Sequence, residues 1–134
     1  MPIRYLACMA LAANFYALPP RVLPSIQHVE GGGAGAVRAD ANGSADLGVM
    51  QVNTIWLHPL SAYSGLAEDV VYQRLVNDPC FNIAAAAAIM RTYLNEAHGD
   101  LLKAVGYYHS HTAVLGEEYE QQVLHAAREL FQNR

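Results

Sequence analysis

Asp78-Pro79-Cys80-Phe81-Asn82-Ile83-Ala84-Ala85-Ala86-Ala87-Ala88 is the stretch on which the fold turns. Proline suits the first turn of a helix, so Asp78-Pro79 opens one. Alanine has the highest helix propensity and lets neighbouring elements come close. A long helix is expected over Pro79–His98, stopped by Gly99. Helical periodicity continues outward on both sides. Upstream, Glu68–Val76 reads as a helix, and Gly48–Leu60 as one or two short helices ended by Pro59. Further back, a helix near Pro20 buries Val22, Ile26 and Val29 and ends at Gly31, while Tyr5–Tyr16 forms the first helix and stops before Pro19-Pro20. Pro24 falls within or just beyond the first turn of the second helix, where it can distort it. Downstream, Asp100 to about Tyr108 and Glu117–Phe131 are helical, the last with Val123, Leu124, Ala127, Leu130 and Phe131 on its apolar face. Gly31–Leu47 is a Gly/Asn/Asp/Ser-rich loop with a turn signal at Asn42-Gly43. The class is all-α, with at most a small β-hairpin in that loop.

At 134 residues, one domain over 1–134 is the default, long enough to bury a core without a metal. The net charge of −4 gives no attraction to a nucleic-acid backbone. It also gives none to an anionic cell wall, so an enzyme of the wall would be placed by a partner. Cofactors are not implied, and a monomer is expected. No run reaches the roughly 20 apolar residues of a transmembrane helix. Met1–Ala17 carries Arg4 and an apolar run, as a short signal peptide does, but Asn14 interrupts it. Tyr5, Cys8, Ala12 and Phe15 recur at helical spacing, so a structural helix is the reading adopted.

The two cysteines, Cys8 and Cys80, form no zinc set. They are either two buried thiols or one disulfide closing a loop of roughly 70 residues, worth ~4 kcal/mol by chain entropy. Six histidines are present, but no HExxH, and His109-x-His111 lacks a carboxylate at ligand spacing. No metal site is expected. A Gly-x-Ser-x-Gly elbow and a phosphate loop are also absent from the sequence.

Three constellations can carry chemistry. Glu30 stands where a helix runs out into Gly31-Gly32-Gly33. The negative end of the helix dipole and the apolar neighbours Val29 and Met50 would oppose its ionisation, as a general acid requires. The ordinary alternative is a solvated surface glutamate. Asp46-Leu47-Gly48-Val49-Met50-Gln51-Val52-Asn53 adds a glycine for close backbone passage and two amides, Gln51 and Asn53, suited to N-acetyl and hydroxyl groups. Alone, such a run reads as a helix start with buried Met and Val. Ala104-Val105-Gly106-Tyr107-Tyr108-His109-Ser110 supplies a hydroxyl that could orient Glu30 or bind sugar, or else a core tyrosine pair.

In this order, these pieces resemble the lytic transglycosylases of the soluble, goose-lysozyme-like family. With Cys8, Leu18-Pro19-Pro20-Arg21-Val22-Leu23, Asn42 to Leu57 and Asp78 to Ile83, they cover about residues 5–112. The chain looks like the small, specialised branch associated with type IV secretion, conjugation, type III secretion and pili. The resemblance implies a lysozyme-like α fold with two helical lobes around a cleft. It implies cleavage of the β-1,4 bond between N-acetylmuramic acid and N-acetylglucosamine in peptidoglycan. Glu30 falls on the catalytic acid; Gln51, Asn53 and Tyr108 on substrate-contacting or orienting positions; Met50 on a cleft-lining one. Cys8 and Cys80 match cysteines that this branch pairs. A disulfide places the protein in the periplasm or outside the cell, with any export signal already removed.

The chain departs from the pattern too. Gly31 stands where many relatives have serine, and His109 where many have asparagine. Asn42 or Ser44 is the candidate for the serine usual before the Gly-Met-Gln region. One clear carboxyl group implies a substrate-assisted reaction ending in a 1,6-anhydro ring. Asp40 and Asp46 are candidates for a second carboxylate, which would permit hydrolysis; turn and capping roles are the reading adopted for them. The competing functions are a hydrolytic lysozyme of the same fold and an inactive wall-binding assembly module.

Overall fold

The computed structural model describes residues 3–132. The domain ends expected at residues 1 and 134, and the start of the Met1–Ala17 stretch, lie outside them. The element order is α1 (Leu6–Phe15), α2 (Val22–Glu30), β1 (Val37–Ala39), β2 (Ala45–Leu47), β3 (Val52–Asn53), a 3-10 turn (Thr54–Trp56), α3 (Leu57–Ser64), α4 (Glu68–Asn77), α5 (Pro79–Glu96), α6 (Leu101–His109) and α7 (Ala113–Phe131). No helix among the described residues is long and apolar enough to cross a membrane.

The α5 helix is the axis of the fold. Asp78 caps it by accepting from the Phe81 N–H at 3.1 Å, and Pro79 fills the first position. Ile83, Ala85, Ala86, Ala87, Ile89 and Met90 are buried along it. Their small and apolar side chains let α1, α4 and α6 pack around it. α7 lies against α6 and α2. In α1 the buried side is Met9, Ala12 and Ala13, and Phe15 points outward at 76% exposure. A disulfide joins Cys8 on α1 to Cys80 on α5 across 72 residues.

Two prolines act differently from the expectation. Pro59 does not end a helix: it sits in the first turn of α3, where its missing N–H leaves no bond unmade, and Gly65 is the cap. Pro24 sits likewise in the first turn of α2 and causes no break.

The expected hairpin is the larger part of a three-stranded antiparallel sheet in the order β1-β2-β3. Register pairs Arg38 with Asp46 and Asp46 with Asn53, and Val37 with Leu47 and Leu47 with Val52. Side chains alternate along a strand, so these are two opposite faces. Leu47 and Val52 enter the core, while Asp46 and Asn53 face a cleft.

Candidate active site

A cleft of about 400 Å³ opens between the sheet on one side and α5 and the end of α6 on the other. Glu30, the last residue of α2, lies in it, half-buried. Gly31 follows with φ 67°, the left-handed conformation that ends a helix without penalty for glycine. The Tyr119 hydroxyl of α7 donates to Glu30 Oε2 at 2.6 Å. Burial pushes the Glu30 carboxyl above its ordinary value, and the charge of Asp46 pushes the same way. The Tyr119 bond, His109 and Arg38 favour the ionised form and oppose the shift.

The Gly48–Asn53 segment forms the floor. Gly48 has φ 70°, and a Cβ there would run into the Leu75 carbonyl and the Asn82 amide. Asn82, fully buried on α5, holds this turn. Its Oδ1 accepts from the Met50 N–H, and its Nδ2 donates to the Leu47 and Leu75 carbonyls, each at 2.8 Å. Val49 and Met50 are thereby directed into the core. Met50 has no exposure and does not line the cleft with its side chain, contrary to the expectation; its carbonyl accepts from the Tyr108 hydroxyl at 2.8 Å. Gln51 turns to the cleft with φ 56°. Its Nε2 donates to the Gly48 carbonyl at 2.9 Å, while its buried Oε1 has no partner.

Asn53 lines the cleft with its amide already engaged. Nδ2 reaches Asp46 Oδ1 at 2.9 Å, and Asp40 Oδ2 and Ser44 Oγ at 3.0 Å, while Oδ1 accepts from the Ile55 N–H. Asp40 and Asp46 both line the cleft, beyond the turn and capping roles expected of them. Burial and then the neighbouring Asp40 raise Asp46, against the Asn53 bond. Asn42 reaches the cleft; Ser44 does not, its hydroxyl lying 2.7 Å from Asn42 Oδ1 within the turn.

Tyr108 therefore orients the Gln51 turn, and Tyr119 is the residue that touches Glu30. Neither Tyr119 nor the role of Asn82 was anticipated. A signal for Tyr119 exists: it lies four residues before Val123, on the buried stripe of α7, where a tyrosine hydroxyl needs a partner. His109 lies on Tyr119, ring centroids 5.0 Å apart and planes at 12°. No cluster of potential metal ligands occurs among the described residues.

The transglycosylase SLT domain model matches residues 7–130 of this chain. The chain belongs to that family. Among curated proteins this SLT domain is similar to protein IpgF of Shigella flexneri, 30% identical over 79% of this chain and 66% of the relative. It is also similar to invasion protein IagB of Salmonella typhimurium, 28% identical over 79% of this chain and 63% of the relative. The chain thus spans slightly less than two thirds of the length of these relatives.

Proposed function

We propose that this SLT domain is a peptidoglycan lytic transglycosylase with Glu30 as its single catalytic acid. It cleaves the β-1,4 bond between N-acetylmuramic acid and N-acetylglucosamine. The observation that carries this reading is a carboxyl group in a cleft, bonded by the Tyr119 hydroxyl and made harder to ionise by burial. Glu30 gives its proton to the glycosidic oxygen as the C1–O bond breaks. The oxygen of the muramoyl N-acetyl group stabilises the positive charge at C1. Ionised Glu30 then takes the proton of the sugar's 6-hydroxyl, and O6 bonds to C1. The acid is regenerated, a 1,6-anhydromuramoyl end is formed and no water is consumed. Gln51 Oε1, buried and unpaired, offers an acceptor to a sugar N–H or O–H.

The Cys8–Cys80 disulfide supports a site of action in the periplasm or outside the cell. The action proposed is local opening of the wall for a secretion, conjugation or pilus apparatus rather than bulk digestion, in keeping with similarity to an invasion protein. A second reading, hydrolysis, draws on Asp40 and Asp46, whose carboxyls line the same cleft and could hold a water.

Mass spectrometry of purified wall treated with wild type and Glu30→Gln separates these readings. Anhydromuramoyl ends from wild type alone are expected. Reducing ends mean hydrolysis. Equal wall clearing by the variant removes Glu30 from its role. Binding without soluble fragments means an inactive wall-binding module.

A further inference from the structure

His109 ends α6 and stands exposed at the rim of the cleft. Its ring stacks on Tyr119, which donates to Glu30 Oε2 at 2.6 Å. Side chains from α6, α7 and α2 thus form one column that ends on the carboxyl group. The reaction outlined above makes no use of His109. We propose that His109 is a positioning residue for the proton donor, acting on Glu30 through the stacked Tyr119 ring and through its own charge. This rests on the reading of Glu30 as the acid.

The stack explains how a single phenol hydroxyl keeps its aim. Tyr119 is 4% exposed, packed by the core on one side and covered by the imidazole on its ring face. Loss of that cover frees the ring to shift, and a hydroxyl displaced by an ångström no longer orients Glu30. The charge argument is separate. Imidazole is the side chain whose charge changes between about pH 5 and 8. A cation here favours the carboxylate of Glu30.

Other groups at this end of the cleft bear on the same balance. Arg38 of the sheet also favours the carboxylate, and Asp46, with Asp40 beside it, opposes it. Tyr93 of α5 and Tyr108 of α6 are kept neutral by burial. His111 is paired with Glu96 at 3.0 Å. A charge on His109 therefore makes the proton of Glu30 easier to lose, and removing that charge keeps the donor loaded to higher pH.

The test compares wild type with His109→Phe, which retains a ring for stacking, and His109→Asn, which retains neither ring nor charge. Carbon-13 NMR of the Glu30 carboxyl, assigned by its loss in Glu30→Gln, is followed against pH. Release of soluble wall fragments is followed over the same range. In both variants the Glu30 resonance should titrate at higher pH than in wild type, and the pH of half-maximal release should move upward with it. The plateau rate should fall further in His109→Asn than in His109→Phe. Coincident titration curves in all three proteins overturn the charge argument, and equal plateau rates in the two variants overturn the stacking argument. If the resonance shifts in both variants while wild type releases no fragments, the coupling of His109 to Glu30 stands, but the transglycosylase reading falls and the positioning role falls with it.

Discussion

Tyr119 reaches back across 89 residues of sequence to set its hydroxyl 2.6 Å from Glu30 Oε2. The bond ties the last helix of the chain to the end of the second. Burial raises Tyr119 far above the ordinary tyrosine value, so it stays a donor throughout the working pH range.

Removing that donor should have two effects with a defined sign. Tyr119→Phe deletes a bond that stabilises the ionised form of Glu30, so the carboxyl becomes still harder to ionise. The general acid works protonated, and activity is lost as pH rises through its pKa. The alkaline limb of kcat/KM should therefore move to higher pH in the variant. Orientation is lost at the same time. A hydrogen bond to a charged group contributes about 1.5–3 kcal/mol, so a fall in kcat of roughly tenfold or more is expected. A pH–rate profile of wall-fragment release shows both. An unmoved limb with unchanged kcat would remove Tyr119 from the mechanism.

Glu30 should also cost the fold stability. A carboxyl whose folded pKa is raised binds its proton more tightly in the native state than in the unfolded one. The fold is then relatively favoured in acid and loses stability as pH rises from the unfolded to the folded pKa. Glu30→Gln removes the ionisable group from the same place. Its melting temperature should exceed that of wild type at neutral pH, and the gap should close below about pH 4, where both forms are neutral. A gap independent of pH would mean that the charge is not the cause. Loss of activity by about 10²–10⁴-fold in the more stable protein is the expected companion.

Asn82 carries the floor of the cleft, and the prediction there is one of stability first. Its three bonds all end on backbone groups, at Met50, Leu47 and Leu75. Asn82→Ala strands a buried N–H and two carbonyls, each costing about 1–3 kcal/mol. Urea unfolding should show a loss of at least about 3 kcal/mol. An effect under about 1 kcal/mol would show that the turn holds itself.

The legible parts of this chain were those fixed by local chemistry. The α5 helix follows from Asp78, Pro79 and the alanine run, and the end of α2 from Gly31. Glu30 could be singled out because its position depends on that local stop. What escaped depends on distant contacts. Strand β3 is only Val52–Asn53, too short for an alternating pattern to declare itself. Helix α7 starts at Ala113 and passes through Gly116, which a sequence reader takes as a break. Gly116 is instead a close-packing residue: a Cβ there would lie 3.1 Å from the Ser110 carbonyl and 3.6 Å from that of Gly106. Tyr119 went unremarked, because its partner is visible only once α2 and α7 are brought together.

Asn53 was expected to touch substrate, and its surroundings suggest a different first duty. An amide has two hydrogens, and three acceptors crowd Asn53 Nδ2 within 3.0 Å. Two of them are the carboxyls of Asp40 and Asp46, and Asp40 opposes the ionisation of Asp46. Asn53→Ala removes the bond that favours the Asp46 carboxylate, so Asp46 should rise further above its ordinary value. By the same linkage, a carboxyl raised further loses more stability as pH rises. The variant should therefore be more destabilised at neutral pH than below about pH 3, where Asp46 is largely protonated in the folded and the unfolded state. Loss of the Ile55 N–H cap adds about 1 kcal/mol at every pH. Urea unfolding at the two pH values separates the terms. If the destabilisation is the same at both, the amide is not committed to the carboxylates and is free for sugar; the variant should then raise KM while its stability shows only the cap.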